Sequence, residues 1–241
     1  MSDAGYWALG GIFLRPLALG DEPVLMRLSN GTAEDAERSY DRIELPMSPA
    51  DAASWLAAYL NEAASGDRRA FAIMRAADAV TRAESNANPR AEPNAIPRAE
   101  PRAATADPND KPLGLVDVTK PLGLVDVAEP LGLVDVWEAD RRSGVFRAGI
   151  KMLPGESGKG QATRAFARVL DYYFYELRYQ KCGVYIYDFN QNSIHFHEKF
   201  GFVEEGRLRR EYFTQGRFHD AIWYGLLVED YGAWRASHPA R

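Results

Sequence analysis

The run Pro154-Gly155-Glu156-Ser157-Gly158-Lys159-Gly160-Gln161-Ala162-Thr163 has residue types that suit anion binding. Its glycines let backbone N–H groups approach a ligand closely, and a helix opening just after them adds unpaired donors and positive potential. A negative charge at an exposed helix start gains roughly 0.3–1 kcal/mol. A plain glycine turn joining a strand to a helix accounts for the same residues equally well. A nucleotide-triphosphate loop is excluded, because that motif needs Gly, four residues, then Gly-Lys-Ser/Thr to hold magnesium. Here Gly160 follows Lys159, and Leu153 stands in the place of the first glycine.

The second chemical stretch is Asn190-Gln191-Asn192-Ser193-Ile194-His195-Phe196-His197-Glu198-Lys199-Phe200-Gly201-Phe202. Asn190 suits a helix N-cap, and Gly201 suits the left-handed residue that ends a helix. Taken alone this is helix punctuation.

The two stretches together resemble the GNAT acetyltransferase superfamily. Its pyrophosphate loop reads Arg/Gln, two residues, Gly, one residue, Gly/Ala, and opens a long helix; the matching window here is Ser157–Ala162. Its second signature is an Asn, a small residue three later, and a helix ending Glu-Lys-apolar-Gly-Phe, which matches Asn190, Ser193 and Glu198–Phe202. The hairpin around Gly216-Arg217-Phe218-His219-Asp220 is similar to the branch that includes ribosomal-protein N-terminal and small-amine acetyltransferases.

This resemblance implies an acetyl-CoA-dependent N-acetyltransferase with a mixed, mostly antiparallel α/β sheet flanked by helices. The pantetheine would lie in a gap between the Val145–Leu153 and Lys181–Phe189 strands. Backbone groups of Lys151, Met152 and Leu153 would bind it and polarise the thioester, and amides of Gly158, Lys159, Gly160, Gln161, Ala162 and Thr163 would hold the pyrophosphate. Asn190 and Ser193 would meet the far arm. Two departures stand out: Ser157 replaces the usual Arg or Gln, and His197 occupies the place of a Tyr that protonates the departing thiolate. His197 is therefore a candidate acid, set against a buried core histidine.

An alkyl amine is mostly protonated at neutral pH, so its proton needs a destination. The Glu that the family often carries before the loop is replaced by Arg147. The remaining carboxylates are Asp135, Glu138, Asp188 and Asp220, each also read as a solvated or turn residue. Asp220, on the acceptor-side hairpin, is the catalytic or substrate-pairing candidate among them. Two other readings are a non-catalytic acyl-CoA-binding or regulatory domain and a repeat-mediated interaction protein.

The elements that must carry these residues follow from periodicity. Ile12–Leu17 reads as a strand, Asp21–Asn30 as a short helix, and Ser48-Pro49-Ala50-Asp51 as a capped helix start with Trp55, Leu56, Tyr59 and Leu60 on one face. Phe71–Met74 reads as a strand. A helix over about 160–178 places Ala162, Phe166, Leu170, Phe174 and Leu177 on one stripe. Strands over about 205–213 and 217–228 meet at Thr214-Gln215-Gly216 as a hairpin.

Between about 77 and 129 the pattern changes. Ala, Pro, Asn, Arg and Glu dominate as far as Lys111, a composition that buries too little surface to offset its ordering entropy. Pro-Leu-Gly-Leu-Val-Asp-Val then starts at Pro112, Pro121 and Pro130. Three short copies are too few for a solenoid. A duplicated strand is the simpler reading, with Leu131–Val136 in the central sheet. The expectation is one domain over 1–241 interrupted by this insertion.

Composition narrows the rest. The net charge of −5 excludes a global field that would draw in nucleic acid or anionic membrane. Cys182 is the only cysteine, which rules out an intrachain disulfide and a cysteine-built zinc site. No stretch has the form of a secretion signal or a membrane span, so the expected setting is the cytoplasm, as a monomer or homodimer.

Overall fold

The computed structural model describes residues 7–30, 46–65, 68–76 and 130–238. The Pro/Ala-rich segment and the first two repeat copies lie outside the described residues. The strands are β1 (Ala8–Leu9), β2 (Ile12–Pro16), β3 (Arg69–Arg75), β4 (Pro130–Asp140), β5 (Val145–Met152), β6 (Lys181–Tyr187), β7 (Val203–Thr214) and β8 (Arg217–Leu227). They form one sheet in the order β1-β2-β3-β4-β5-β6-β8-β7. Every pairing is antiparallel except β5 with β6.

The third repeat copy is strand β4, flanked by β3 and β5. Leu131, Val134 and Val136 are buried there, as the apolar run demands. Gly132 has a separate reason to be glycine: a Cβ would come within 2.3 Å of the Lys151 carbonyl oxygen.

Among the described residues five α-helices flank the sheet: α1 (Glu22–Ser29), α2 (Pro49–Ser65), α3 (Gln161–Asp171), α4 (Gln191–Glu198) and α5 (Val228–Ser237). At the start of α2, Ser48 and Asp51 form the reciprocal cap: the Asp51 amide donates to Ser48 Oγ at 3.2 Å, and the Ser48 amide to Asp51 Oδ2 at 3.1 Å. The buried face of α2 is Ala52, Leu56 and Tyr59. Trp55 departs from the expected stripe; it is exposed and stacks on Tyr59 at 5.1 Å.

The main core lies between the sheet and α3, where Ala165, Phe166, Val169 and Leu170 follow the helical period onto Phe146, Ala148 and Val184. The α-helix stops earlier than the pattern predicts. It passes at Tyr172 into a π-helical turn over Tyr172–Glu176, closed by the Leu177 amide on the Tyr172 carbonyl at 3.0 Å. The wider turn lets consecutive rings, Tyr173 and Phe174, both pack on Phe146, at 4.6 and 5.4 Å. Helix α5 is tied to α3 through buried Asp171, which lies 2.8 Å from the Tyr231 hydroxyl and 2.9 Å from Arg235.

Candidate active site

Parallel pairing of β5 with β6 runs through Val145–Lys181, Phe146–Cys182 and Arg147–Gly183, and goes no further. Beyond that point β5 continues to Met152 against β4 alone, while β6 continues to Tyr187 against β8 alone. The two strands therefore diverge with an unpaired inner edge on each side. This is the gap expected between the Val145–Leu153 and Lys181–Phe189 strands.

The polarity of its β5 wall follows from one bond. The Leu153 amide donates to the Leu131 carbonyl at 2.8 Å. In an antiparallel ladder such pairs alternate, so Lys151 and Gly149 also turn their N–H and C=O groups towards β4. The groups aimed into the gap are those of Met152 and Ile150. Of the three residues expected to serve here, only Met152 is so oriented; Lys151 faces β4, and Leu153 gives its N–H to Leu131 and accepts from the Glu156 amide at 3.0 Å. Ile150 was not foreseen, because the pairing register decides it.

Beyond β5 the chain turns through glycines in left-handed conformation, Gly155 (φ 78°), Gly158 (φ 80°) and Gly160 (φ 75°). A Cβ at any of them meets nothing within 4 Å, so the space beside each is open. The first bond of α3 runs from the Arg164 amide to the Gly160 carbonyl. The amides of Gly158, Lys159, Gly160, Gln161, Ala162 and Thr163 find no acceptor among the described residues. Gln161 is buried, yet its Oε1 has no hydrogen-bond partner among the described residues. Open space, six amides without acceptors at one helix start and an orphaned buried oxygen fit an anionic group with amide neighbours. Glu156 does not oppose such a group, since Lys159 and Arg75, each at 3.0 Å, hold its carboxylate and lower its pKa.

The second motif is organised around its caps. Asn190 Oδ1 accepts from the Ser193 amide at 3.0 Å, and Gly201 (φ 94°) ends α4. Asn190 is buried and Ser193 half-buried.

His197 is not placed to act as the expected acid. It is buried among Phe166, Phe196 and Phe202, whose ring centroids lie 5.1–5.6 Å away. Its Nδ1 donates to the Ser193 carbonyl at 2.8 Å. Burial lowers its pKa to about 4, so at neutral pH the ring is uncharged and Nε2 carries no proton to give. The core reading of this residue holds.

Asp220 is engaged within its own hairpin. Its Oδ1 accepts from the Arg210 amide at 2.9 Å, and Arg207 lies 3.6 Å from its Oδ2. Arg210 (φ 56°) belongs to the register shift between Leu208 and Tyr212, so Asp220 clasps the bulge of the hairpin. Strand alternation also sets it on the opposite face from Trp223. Nearby, buried His219 donates from Nδ1 to Asp188 at 2.7 Å and accepts from Arg217 at Nε2, which occupies Asp188 as well.

The face away from α3 holds a group that sequence reasoning saw only as a missing glutamate. Arg147 pairs in register with Trp137, donates from Nε to Glu138, and lies with its guanidinium carbon 4.2 Å from the Trp223 ring centroid. Glu138 reaches it from a left-handed backbone position (φ 47°) in the β4 register shift. Asp135 is held by the Tyr59 hydroxyl at 3.0 Å and by Arg68 at 2.9 Å.

Comparison with known proteins agrees with this geometry. Residues 88–203 match the acetyltransferase (GNAT) domain family. A SPbeta prophage-derived uncharacterized N-acetyltransferase, YokL, of Bacillus subtilis is 39% identical over 95 residues, covering 39% of this chain and 54% of that protein. The spermidine N(1)-acetyltransferase of Vibrio cholerae is 38% identical over 90 residues, 37% of this chain and 51% of that one. The aligned part thus spans about half the length of these curated relatives. A crystal structure of the spermidine N-acetyltransferase from Vibrio cholerae in complex with CoA and spermine superimposes with a TM-score of 0.61 at 21% identity, over 92% of this chain and 98% of that one. The matched segment runs through β4, the diverging strands, the glycine turn and α4, and this part of the chain is similar to GNAT acetyltransferase domains.

Proposed function

We propose that the chain is an acetyl-CoA-dependent N-acetyltransferase acting on the primary amine of a small molecule or a peptide N-terminus. The observation that carries this reading is the divergence of β5 from β6 at Arg147 and Gly183, leading to the unpartnered amides at the start of α3. Spermidine N(1)-acetyltransferases and a putative ribosomal N-acetyltransferase, YdaF, among the relatives support an amine as acceptor.

In this reading Gly158–Thr163 hold the pyrophosphate, with the orphaned Gln161 Oε1 turned to a donor of the ligand. Met152 and Ile150 bind the pantetheine amides along the gap, and α4 with its Asn190 cap closes the far side. Acetyl-CoA supplies the activated thioester. The amine attacks the carbonyl carbon, the C–N bond forms as the C–S bond breaks, the amine proton passes to water or a carboxylate, and the thiolate takes up a proton. With His197 Nε2 unprotonated at neutral pH, this reading takes that last proton from a source other than His197, solvent being the simplest.

The domain boundaries join the proposal: one acetyltransferase domain interrupted at about 77–129. Met74 and Pro130 are paired neighbours in the sheet, so the chain leaves and returns at one place. No described helix is long and apolar enough to cross a membrane, and we place the enzyme in the cytoplasm as a monomer or homodimer.

A second reading, an acyl-CoA-binding domain without turnover, is favoured by Arg147 in place of a carboxylate and by the neutral, buried His197. Calorimetric titration with acetyl-CoA, with ATP as control, tests the shared part. Binding that Gly160→Asp abolishes, with no response to ATP, is expected; a folded protein that ignores acetyl-CoA sinks both readings. Release of free thiol with a panel of amines then separates the enzyme from the binding domain.

A further inference from the structure

Arg147 sits where the β5–β6 pairing ends, on the face away from α3. The opposite face is filled, since neighbouring Phe146 and Ala148 are fully buried in the core under α3. On its own face the side chain is about a quarter exposed. Two contacts fix its guanidinium. Nε donates to Glu138 and Cζ lies 4.2 Å from the Trp223 ring centroid, while Trp137 is the backbone register partner on β4. The two Nη groups have no hydrogen-bond partner among the described residues.

The surroundings leave room in front of that fork. Gly149 and Gly183 lie on the same face; a Cβ on Gly183 would come no nearer than 4.0 Å to the Arg147 side chain, and Gly149 faces only the edge of Trp137 at 3.4 Å. A planar, oriented pair of N–H donors matches a carboxylate, to which guanidinium binds in a two-bond fork. Stacking on an aromatic ring and partial desolvation strengthen such a bond. The same arrangement works against a polyamine. The aromatic face of Trp223 and the carboxylate of Glu138 are the partners a second ammonium would seek, and Arg147 already holds both.

We propose that Arg147 is the specificity-determining residue of the acceptor side, selecting an amine that carries a carboxylate, as a free amino acid does. This rests on the acetyltransferase reading and narrows its substrate class.

The test uses the full chain and two readouts. With the protein saturated by CoA, so that no transfer occurs, L-amino acids, their carboxamides and spermidine are titrated against tryptophan fluorescence, which reports on Trp137 and Trp223. With acetyl-CoA, kcat/KM is measured for the same compounds. The expected result is at least one amino acid bound and acetylated about tenfold better than its carboxamide. In Arg147→Gln that ratio falls to near one while KM for acetyl-CoA stays unchanged, and Arg147→Lys keeps part of the ratio. Thermal melts identify a variant that fails to fold, and the Arg147→Lys comparison then carries the result. Equal use of acids and carboxamides by the unaltered protein, a preference for spermidine, or a ratio indifferent to Arg147 overturns the proposal while leaving acetyl transfer standing. Absence of acetyl-CoA binding removes the acetyltransferase reading itself and this inference with it.

Discussion

Leu153 and Leu131 share a 2.8 Å backbone bond, and through the alternation of the ladder it decides which amides of β5 face the gap. The consequence is a sharp contrast between adjacent residues. Met152→Pro removes an N–H aimed into the gap and leaves the β4 ladder whole, much as proline is tolerated at a sheet edge. Lys151→Pro removes an N–H given to β4 and so breaks a ladder bond inside the sheet. Calorimetry should report acetyl-CoA binding weakened about tenfold in Met152→Pro, as expected for one lost hydrogen bond to a ligand. Met152→Ala is the control for the side chain. Thermal melts should show the greater destabilisation in Lys151→Pro. Equal losses of stability in the two proline variants would mean that the register argument is wrong.

His197 links burial to pH. Its folded pKa, about 4, lies below the ordinary 6.5 because the aromatic pocket disfavours the charged ring. The unfolded chain therefore binds the proton more readily, and stability rises with pH across this interval. The contribution is complete above about pH 6.5 and is lost as pH falls towards 4, on the order of 3 kcal/mol in all. His197→Phe should flatten the dependence of denaturation midpoint on pH within that window. The same variant tests the corrected role: turnover that persists, with an unchanged alkaline limb in its pH profile, agrees with a core residue. Collapse of kcat in a stable His197→Phe would restore the acid.

How much of this was legible in the residues depended on range. Local chemistry read directly: Ser48 with Asp51, Asn190 with Ser193, and Gly201 each act within a few residues, and all take the expected places. The Gln215-Gly216 turn, with φ of 48° and 76°, is equally local. What failed required knowing neighbours distant in the chain. His197 was ambiguous because only the packing of Phe166 and Phe202 decides whether its ring sees solvent. Asp220 looked available until the bulge at Arg210 claimed it. Arg147 appeared as an absence, since nothing near it in sequence announces Trp223. The π-helical turn escaped because a stripe of aromatics fits a helical period and a slightly wider one alike.

Gly132 separates the third repeat copy from its predecessors. A methyl group there meets the Lys151 carbonyl oxygen at 2.3 Å and Met152 Cα at 3.0 Å, both backbone atoms that cannot swing aside. Gly132→Ala should cost on the order of 1–3 kcal/mol by overpacking. It should also weaken acetyl-CoA binding, because the displaced segment is the wall of the gap. Chemical denaturation checks the first effect and calorimetry the second. The same change at Gly123, the matching position of the preceding copy, should be cheaper. A reversed order would place the second copy, not the third, against β5.

The route between β3 and β4 gives the broadest test of the domain proposal. Met74 pairs with Pro130, and Ile73 with Gly132, so two adjacent antiparallel strands are joined by residues 77–129 where a turn would suffice. Loop-closure entropy grows only slowly with length, so a long connection is tolerated without being needed for stability. Replacing residues 77–129 by a short Asn-Gly turn should keep the cooperative melt and leave acetyl-CoA affinity within about twofold, since the Gly158–Thr163 amides and the Met152 wall are untouched. The melting temperature should rise or stay level. If the shortened chain folds but loses acetyl-CoA, residues 77–129 belong to the cofactor site. If it keeps acetyl-CoA but loses every amine, they shape the acceptor side instead, and Arg147 does not select the substrate alone.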